Sequence, residues 1–372
     1  MPRPRIARIA LTVAVAFSVL ALLSKPSFSQ NYEREYFFIK DQSSYQLAVS
    51  VTPSLLEYYQ QKGHQLTQDS FATFVTPYSL APIAVDIRSI FVDAEDFVNA
   101  VLMLVHQIPY EIVAEPRYPV ETIVENTGDC DLLSFVAASL VKSQNMEVVL
   151  LFYSQESHMN IGVALPMPPR DARTKISYID HGGSRYYIAE CTGNDWQNGW
   201  RIGECPPEME GAQVTVVTLE DCEQIAPGQV SSSYDSLASS VISLSLSSGL
   251  VVEGSLVLMT GQVSVPFTNG TVTLYAVSNG DWAAIGTVPL DPDGHYTFSW
   301  TPQVVGQCYA KASWSGDLQH AGADSQTVPI FVIPKFLVFL GVGLFALGVI
   351  GGVVLLLSKA SSMEIADAPS GV

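Results

Sequence analysis

The sequence predicts two folded regions of different class, an α+β domain over residues 30–224 and an all-β sandwich over residues 241–333, followed by a C-terminal transmembrane helix. Three observations carry this. Helical and strand spacings of apolar residues follow each other before residue 225, whereas only strand spacing occurs after residue 240. The stretch between them, IAPGQVSSSYDSLASS (Ile225 to Ser240), is rich in Ser, Gly and Pro and has no clean period, as a linker over 225–240 would. FLVFLGVGLFALGVIGGVVLLL (Phe336 to Leu357) gives 22 uncharged residues, and ~20 suffice to cross the hydrocarbon core of a bilayer.

The first 29 residues read as a leader. RPRIAR is basic, Ile9 to Leu23 is apolar, and Ser27 and Ser29 are small, the pattern of a secretory signal peptide or an uncleaved N-terminal anchor. Arg3, Arg5 and Arg8 stay cytoplasmic in such a segment, which sends the middle of the chain outward. The apolar run then returns Lys359 and a cytoplasmic tail (358–372) to the inside, although Lys335 on the outer flank opposes that orientation. The expectation is a single-pass protein of the cell membrane with an extracellular ectodomain. A formal charge of −18 and the lack of any basic run exclude nucleic acid as a partner.

Element by element, REYFFI and YQLAVSV read as strands and PSLLEYYQQKG as a helix. In EDFVNAVLMLVHQI (Glu95 to Ile108), Phe97, Val101, Leu104, Val105 and Ile108 share one helical face. A second helix runs on from Cys130 through LLSFVAASLVKSQN, with Asp129 as its N-cap. VVLLFYS (Val148 to Ser154), HMNIGVALP (His158 to Pro166) and RYYIAECTG (Arg185 to Gly193) are strands, the first a continuous apolar run suited to a buried position. After residue 240, short alternating segments recur between Gly, Pro, Asn and Asp, as in a β-sandwich. In GTVTLYAVS, Val272, Leu274 and Ala276 fall on one face and Thr271, Thr273 and Tyr275 on the other. Asn269-Gly270-Thr271 is a glycosylation sequon at a turn.

The chemistry centres on Cys130. Five cysteines, an odd number, leave at least one unpaired in an oxidising compartment. Cys191 is expected to bridge Cys205 or Cys222. A thiol at a helix N-terminus feels the positive end of the peptide dipoles, which favours thiolate, while Asp129 and Asp131 oppose a further anion. A nearby imidazolium would offset them, and His158 opens a strand 28 residues later. Glu190 ends the next predicted strand, with Asp180 and Asp195 as rival acids. Cysteine on a helix, histidine on a strand and acid on the following strand is an arrangement used by thiol hydrolases and acyltransferases. A zinc site from Cys130, His158 and Cys191 lacks paired ligand spacing, and neither a metal nor a cofactor is expected.

The set YPVETIVENTGDCDLLSFVAASLV, VVLLFYSQESHMNIGVAL and YYIAECTG resembles the transglutaminase-like superfamily, papain-like in architecture, in its archaeal and bacterial membrane-associated form. The resemblance covers residues 95 to 210. It implies an α+β transglutaminase-like domain in which Cys130 is the nucleophile, His158 the general base and acid, and Glu190 the third member. Two departures stand out: Glu190 replaces a more usual Asp, and MNIG follows the histidine where an aromatic residue is common. The segments GTVTLYAV, DGHYTFSWTP and GQCYAKASWSGD similarly resemble bacterial and archaeal Ig-like modules, which usually space or present another domain. The expected function is acyl transfer through a Cys thioester, hydrolysing a peptide or isopeptide bond or cross-linking proteins, on a protein or peptide substrate at the cell surface. The backbone N–H of Cys130 would serve the oxyanion, with Gln107 considered as a second donor. The alternative is a catalytically inactive surface adhesion or envelope-assembly protein on the same fold.

Overall fold

A computed structural model describes residues 30–265, 270–278, 280–337 and 349–353. The chain opens with a hairpin, β1 (Tyr32–Lys40) and β2 (Ser43–Val51), joined at Asp41 and Gln42. Both turn residues have left-handed backbones, φ 49° and 66°, which matches the turn to the twist of the strands. β8 (Ser231–Ser233) adds to the other edge of β2, so part of the 225–240 stretch is built into this sheet.

Five α-helices pack behind it: α1 (Pro53–Gln60), α2 (Pro77–Ile90), α3 (Ala94–Val105), α4 (Pro119–Glu125) and α5 (Cys130–Ser143). Asp93 caps α3 by accepting hydrogen bonds from the amides of Glu95 and Asp96. α3 ends at Val105, short of the predicted Ile108, where the side chains of His106 and Gln107 take partners outside the helix. Leu132 to Val141 of α5 are all buried. A helix that is covered on every side belongs at the centre of a unit, and α5 packs on β3 (Val148–Tyr153) and β4 (His158–Ala164). Those two strands lie in an antiparallel sheet of order β5-β6-β4-β3-β7, completed by β5 (Tyr178–His181), β6 (Ser184–Ala189) and β7 (Thr215–Val217).

The second unit is a sandwich. One sheet holds β10 (Leu250–Val252), β17 (Val328–Ile333), β15 (Gly306–Gly316), β12 (Thr271–Ser278) and β13 (Asp281–Pro289) in that order, with β16 (Ala321–Asp324) paired to β15. The other has the order β14 (His295–Trp300), β11 (Val257–Gln262), β9 (Ser245–Leu246). Val257, Met259, Val272, Leu274, Ala310, Ala312 and Val332 form its core. The predicted alternation in β12 is only half of the outcome. Val272 and Leu274 are buried, but so are Thr273 (4% exposed) and Tyr275 (2%) on the opposite face. That face docks on the first unit: Thr273 donates to the Pro227 carbonyl, and Lys311 pairs with Glu57. Nearby, the Ser54 amide and hydroxyl both donate to Asp324 Oδ2, at 2.8 and 2.7 Å.

Two expectations are corrected here. The chain is β-rich, with seventeen strands against five α-helices bounded within the described residues, besides helical residues at 335–337 and 349–353, so the predicted class, an α+β transglutaminase-like domain with a sandwich and a transmembrane helix, does not describe it. An apolar run of about twenty residues crosses a bilayer as a helix. Among the described residues no helix is long and apolar enough to cross a membrane. The transmembrane helix at 336–357, the single-pass cell-membrane placement and the membrane as a partner are therefore withdrawn. Of that segment, 338–348 and 354–357 lie outside the described residues, as do the predicted leader at 1–29, the tail at 358–372 and Asn269 of the sequon.

Candidate thiol site

Cys130 is the first residue of α5, following the N-cap Asp129. Its amide therefore lies outside the intrahelical hydrogen-bond ladder. The Asp129 side chain does not cap the helix; its Oδ2 accepts from the Val113 amide at 3.2 Å. The helix start is fixed to β4 by Ser134, whose hydroxyl donates to the carbonyls of Cys130 (2.7 Å) and Met159 (3.1 Å). A Cβ at Gly128 would lie 3.1 Å from Leu132 Cβ and 3.3 Å from Thr122 Cγ2, so the chain enters α5 close against α4.

The structure brings Cys130, His158 and Glu190 together. The thiol approaches the carbonyl of Ser157, the residue before His158, at 3.9 Å, and it is near enough to the imidazole to favour its charged form. Ser157 has a left-handed backbone, φ 52°, in the turn that leads into β4. His158 Nε2 lies 2.9 Å from Glu190 Oε2, which leaves Nδ1 as the ring nitrogen not held by the carboxylate. Glu190 follows β6 and is fully buried. A buried carboxylate needs several donors, and this one has them. Asn160 Nδ2 reaches Oε2 at 3.2 Å, while the Thr192 amide and hydroxyl reach Oε1 at 2.8 and 2.6 Å.

These contacts set the protonation states. Burial disfavours the His158 imidazolium, but hydrogen bonds to Cys130 and Glu190 and their charges outweigh it, pushing the ring up to about 10. Burial likewise works against the Glu190 anion, yet the bonds from His158 and Thr192 hold it below the usual carboxylate range. Beside the thiol, burial and the hydrogen bond and charge of Asp129 push Asp131 up to about 7. Near neutral pH Asp131 therefore carries a proton for much of the time, so the negative charge beside the thiol is less than two carboxylates would give.

Among the rival acids, Asp180 is paired with Arg185 at 3.0 Å and Asp195 accepts the amides of Gln197 and Asn198. Gln107, considered for the oxyanion, instead bridges both backbone groups of Phe37 on β1. The disulfide expected for Cys191 is absent: all five cysteines are free. Cys191 is sealed in the main core, where burial pushes its thiol far up, and Cys205 belongs to a separate cluster on the other face of the sheet.

Three residues passed over in the sequence belong to the surroundings. His106 is buried, its Nε2 lies 3.0 Å from the Glu190 carbonyl, and burial lowers its pKa. Its position at the end of an apolar helix, with no motif around it, gave no signal. Tyr110 bridges Gly128, and its phenol is raised by partial burial and by the nearby charges of Cys130, Asp129 and Asp131. Ile112, two residues on, is 83% exposed.

No family model matches the chain, and no curated protein does. Solved structures similar to parts of it include a CARDB domain from Pyrococcus furiosus in complex with di-metal ions, 20% identical over 26% of this chain and 94% of that one, TM-score 0.21. A chitin binding domain from Burkholderia pseudomallei is 13% identical over 23% of this chain and 56% of that one, TM-score 0.19. The Yersinia pseudotuberculosis adhesin InvE is 12% identical over 46% of this chain and 53% of that one, TM-score 0.19. These are β domains, and scores this low carry no argument about function. The transglutaminase-like membership read from the sequence is corrected: neither family models nor these structures support it. The order Cys, His, acid describes one junction between a helix and two strands, and many folds can build such a junction.

Proposed function

We propose that the chain is a thiol-dependent acyl-transfer enzyme with Cys130 as nucleophile, His158 as proton carrier and Glu190 as the group that orients and charges the ring. One observation carries this reading. A fully buried glutamate with four donors on its two oxygens holds the Nε2 of a histidine whose ring lies near a thiol at a helix N-terminus.

In the first step, the sulfur proton resides on His158 and the sulfur attacks an acyl carbonyl carbon. The C–S bond forms as the carbonyl π electrons move to oxygen, and the Cys130 amide donates to that oxyanion. Collapse of the adduct breaks the bond to the leaving amine, which takes the proton from His158 and departs. The resulting thioester is released when water, or a second amine, attacks it and His158 accepts the proton of the attacking group. Tyr110, whose phenol feels the charge of Cys130, offers an aromatic ring beside the thiol for the acyl group. The proposed substrate is an amide or ester of a peptide-like acyl group, and hydrolysis is the simplest outcome.

The test is to trap the acyl-enzyme. Brief exposure to p-nitrophenyl acetate should release a burst of nitrophenolate and place one acetyl group on Cys130, read by intact mass and peptide mapping. Cys130→Ser should abolish the burst. Acetylation spread over other residues, or an undiminished burst from the serine variant, rejects the reading in favour of a non-catalytic scaffold.

A further inference from the structure

His106 connects Glu190 to a second feature. It lines a cavity of about 380 Å³ whose other walls include Phe91, Asp96, Asn99, Trp196, Trp200 and Arg201. The segment that supplies the two indoles follows directly on Thr192, the residue that holds Glu190 Oε1. It is packed tightly on His106 on both sides. A Cβ at Gly199 would lie 2.4 Å from Nδ1, and one at Gly193 would lie 3.2 Å from Cδ2. Its glycines therefore let the segment close on the ring and set the indoles in place.

The cavity is lined by charges of both signs, Lys40 and Arg201 against Asp41, Asp96 and Asp171. Lys40 Nζ donates to the Ile90 carbonyl at 2.7 Å, lies 3.9 Å from Asp96 and sits 5.3 Å from the centre of the Phe91 ring. Arg201 donates to the Asp171 carbonyl at 3.1 Å. An anion would meet Asp96 and Asp171, and a cation would meet Lys40 and Arg201. A wholly apolar ligand would bury these charges without replacing their water. The remaining surface offers flat aromatic faces together with planar amide, carboxylate and guanidinium groups. Such a lining suits a ring with one C–H face to lay on an indole and hydroxyls around its edge to pair with planar polar groups.

We propose that this cavity is a binding site for a neutral, hydroxyl-rich ring: one or two sugar residues of a glycan. The site is separate from the thiol chemistry, and binding needs neither Cys130 nor turnover.

The experiment is a tryptophan-fluorescence titration of the full chain with chitotriose, cellotriose and maltotriose, and with glucosamine and glucuronate as charged controls. At least one neutral sugar should give a saturable change, with Kd on the order of millimolar or tighter. Trp200→Ala and Trp196→Ala should each weaken it roughly tenfold, while Cys130→Ser leaves it unchanged. Gln197→Ala, an exposed rim change that spares the fold, should weaken it roughly threefold. Absence of saturable binding by all three neutral sugars overturns the proposal. So does tighter binding of either charged control, or full affinity in the Gln197 variant and in whichever tryptophan variants fold.

Discussion

The two units bury different things. The sandwich fills its interior with Val257, Met259, Leu274, Ala310 and Val332, and its buried charges, Lys311 and Asp324, lie where it meets the first unit. The first unit buries polar groups within itself: the carboxylate Glu190, the imidazole of His106 and the amide of Asn160 lie behind a partly exposed Cys130. Burial of apolar groups needs only shape, whereas buried ionisable groups must be paired donor by donor. The sandwich therefore reads as a body held by packing, and the first unit as one that spends stability on holding a particular arrangement.

The largest expected effect is on the sandwich: Leu274→Ala should cost roughly 2–5 kcal/mol in chemical denaturation and leave the alkylation rate of Cys130 unchanged. A slowed thiol would mean the units do not act separately. In the first unit, Glu190→Gln should slow alkylation of Cys130 roughly tenfold, because the ring loses the partner that favours its charged form. The third effect is on pH dependence of stability. The His158 folded-state pKa is raised, so its contribution is fully present below the ordinary histidine value of about 6.5 and is lost as pH rises through about 10. The Glu190 pKa is depressed, so its share is present above the ordinary carboxylate range and is lost as pH falls through the depressed value. Denaturation of the wild-type and Glu190→Gln proteins should show a gap widest near neutrality that narrows toward both extremes; a constant gap would contradict the pairing. The smallest effect falls on Asp131→Asn. Asp131 titrates at about 7 beside the thiol, so the variant should react roughly threefold faster above neutral pH and match wild type in acid, checked by a pH series of labelling rates.

How much was legible in the sequence follows the same division. The strands of the sandwich and the apolar helices could be read because period and turn residues are local properties. The second buried face of β12 could not, because what covers Thr273 and Tyr275 is Pro227 and α1, far away in sequence. The placement of Cys130, His158 and Glu190 was readable as an order along the chain. The fold family drawn from that order was not reliable, since the order describes one junction and leaves the rest of the topology open. His106 and Thr192 were invisible: one is an unmarked histidine after a helix, the other an ordinary loop threonine, and both matter only through contacts with Glu190. The apolar run at 336–357 showed hydropathy alone, and no spanning helix accompanies it among the described residues.

Activation of Cys130 by His158 can be read from intact mass and peptide mapping after limiting iodoacetamide at neutral pH, for wild type and His158→Ala. Four of the five thiols are buried, so the account predicts a single fast adduct on Cys130, slowed roughly a hundredfold in the alanine variant. Labelling of Cys130 at the same rate in both proteins would contradict it.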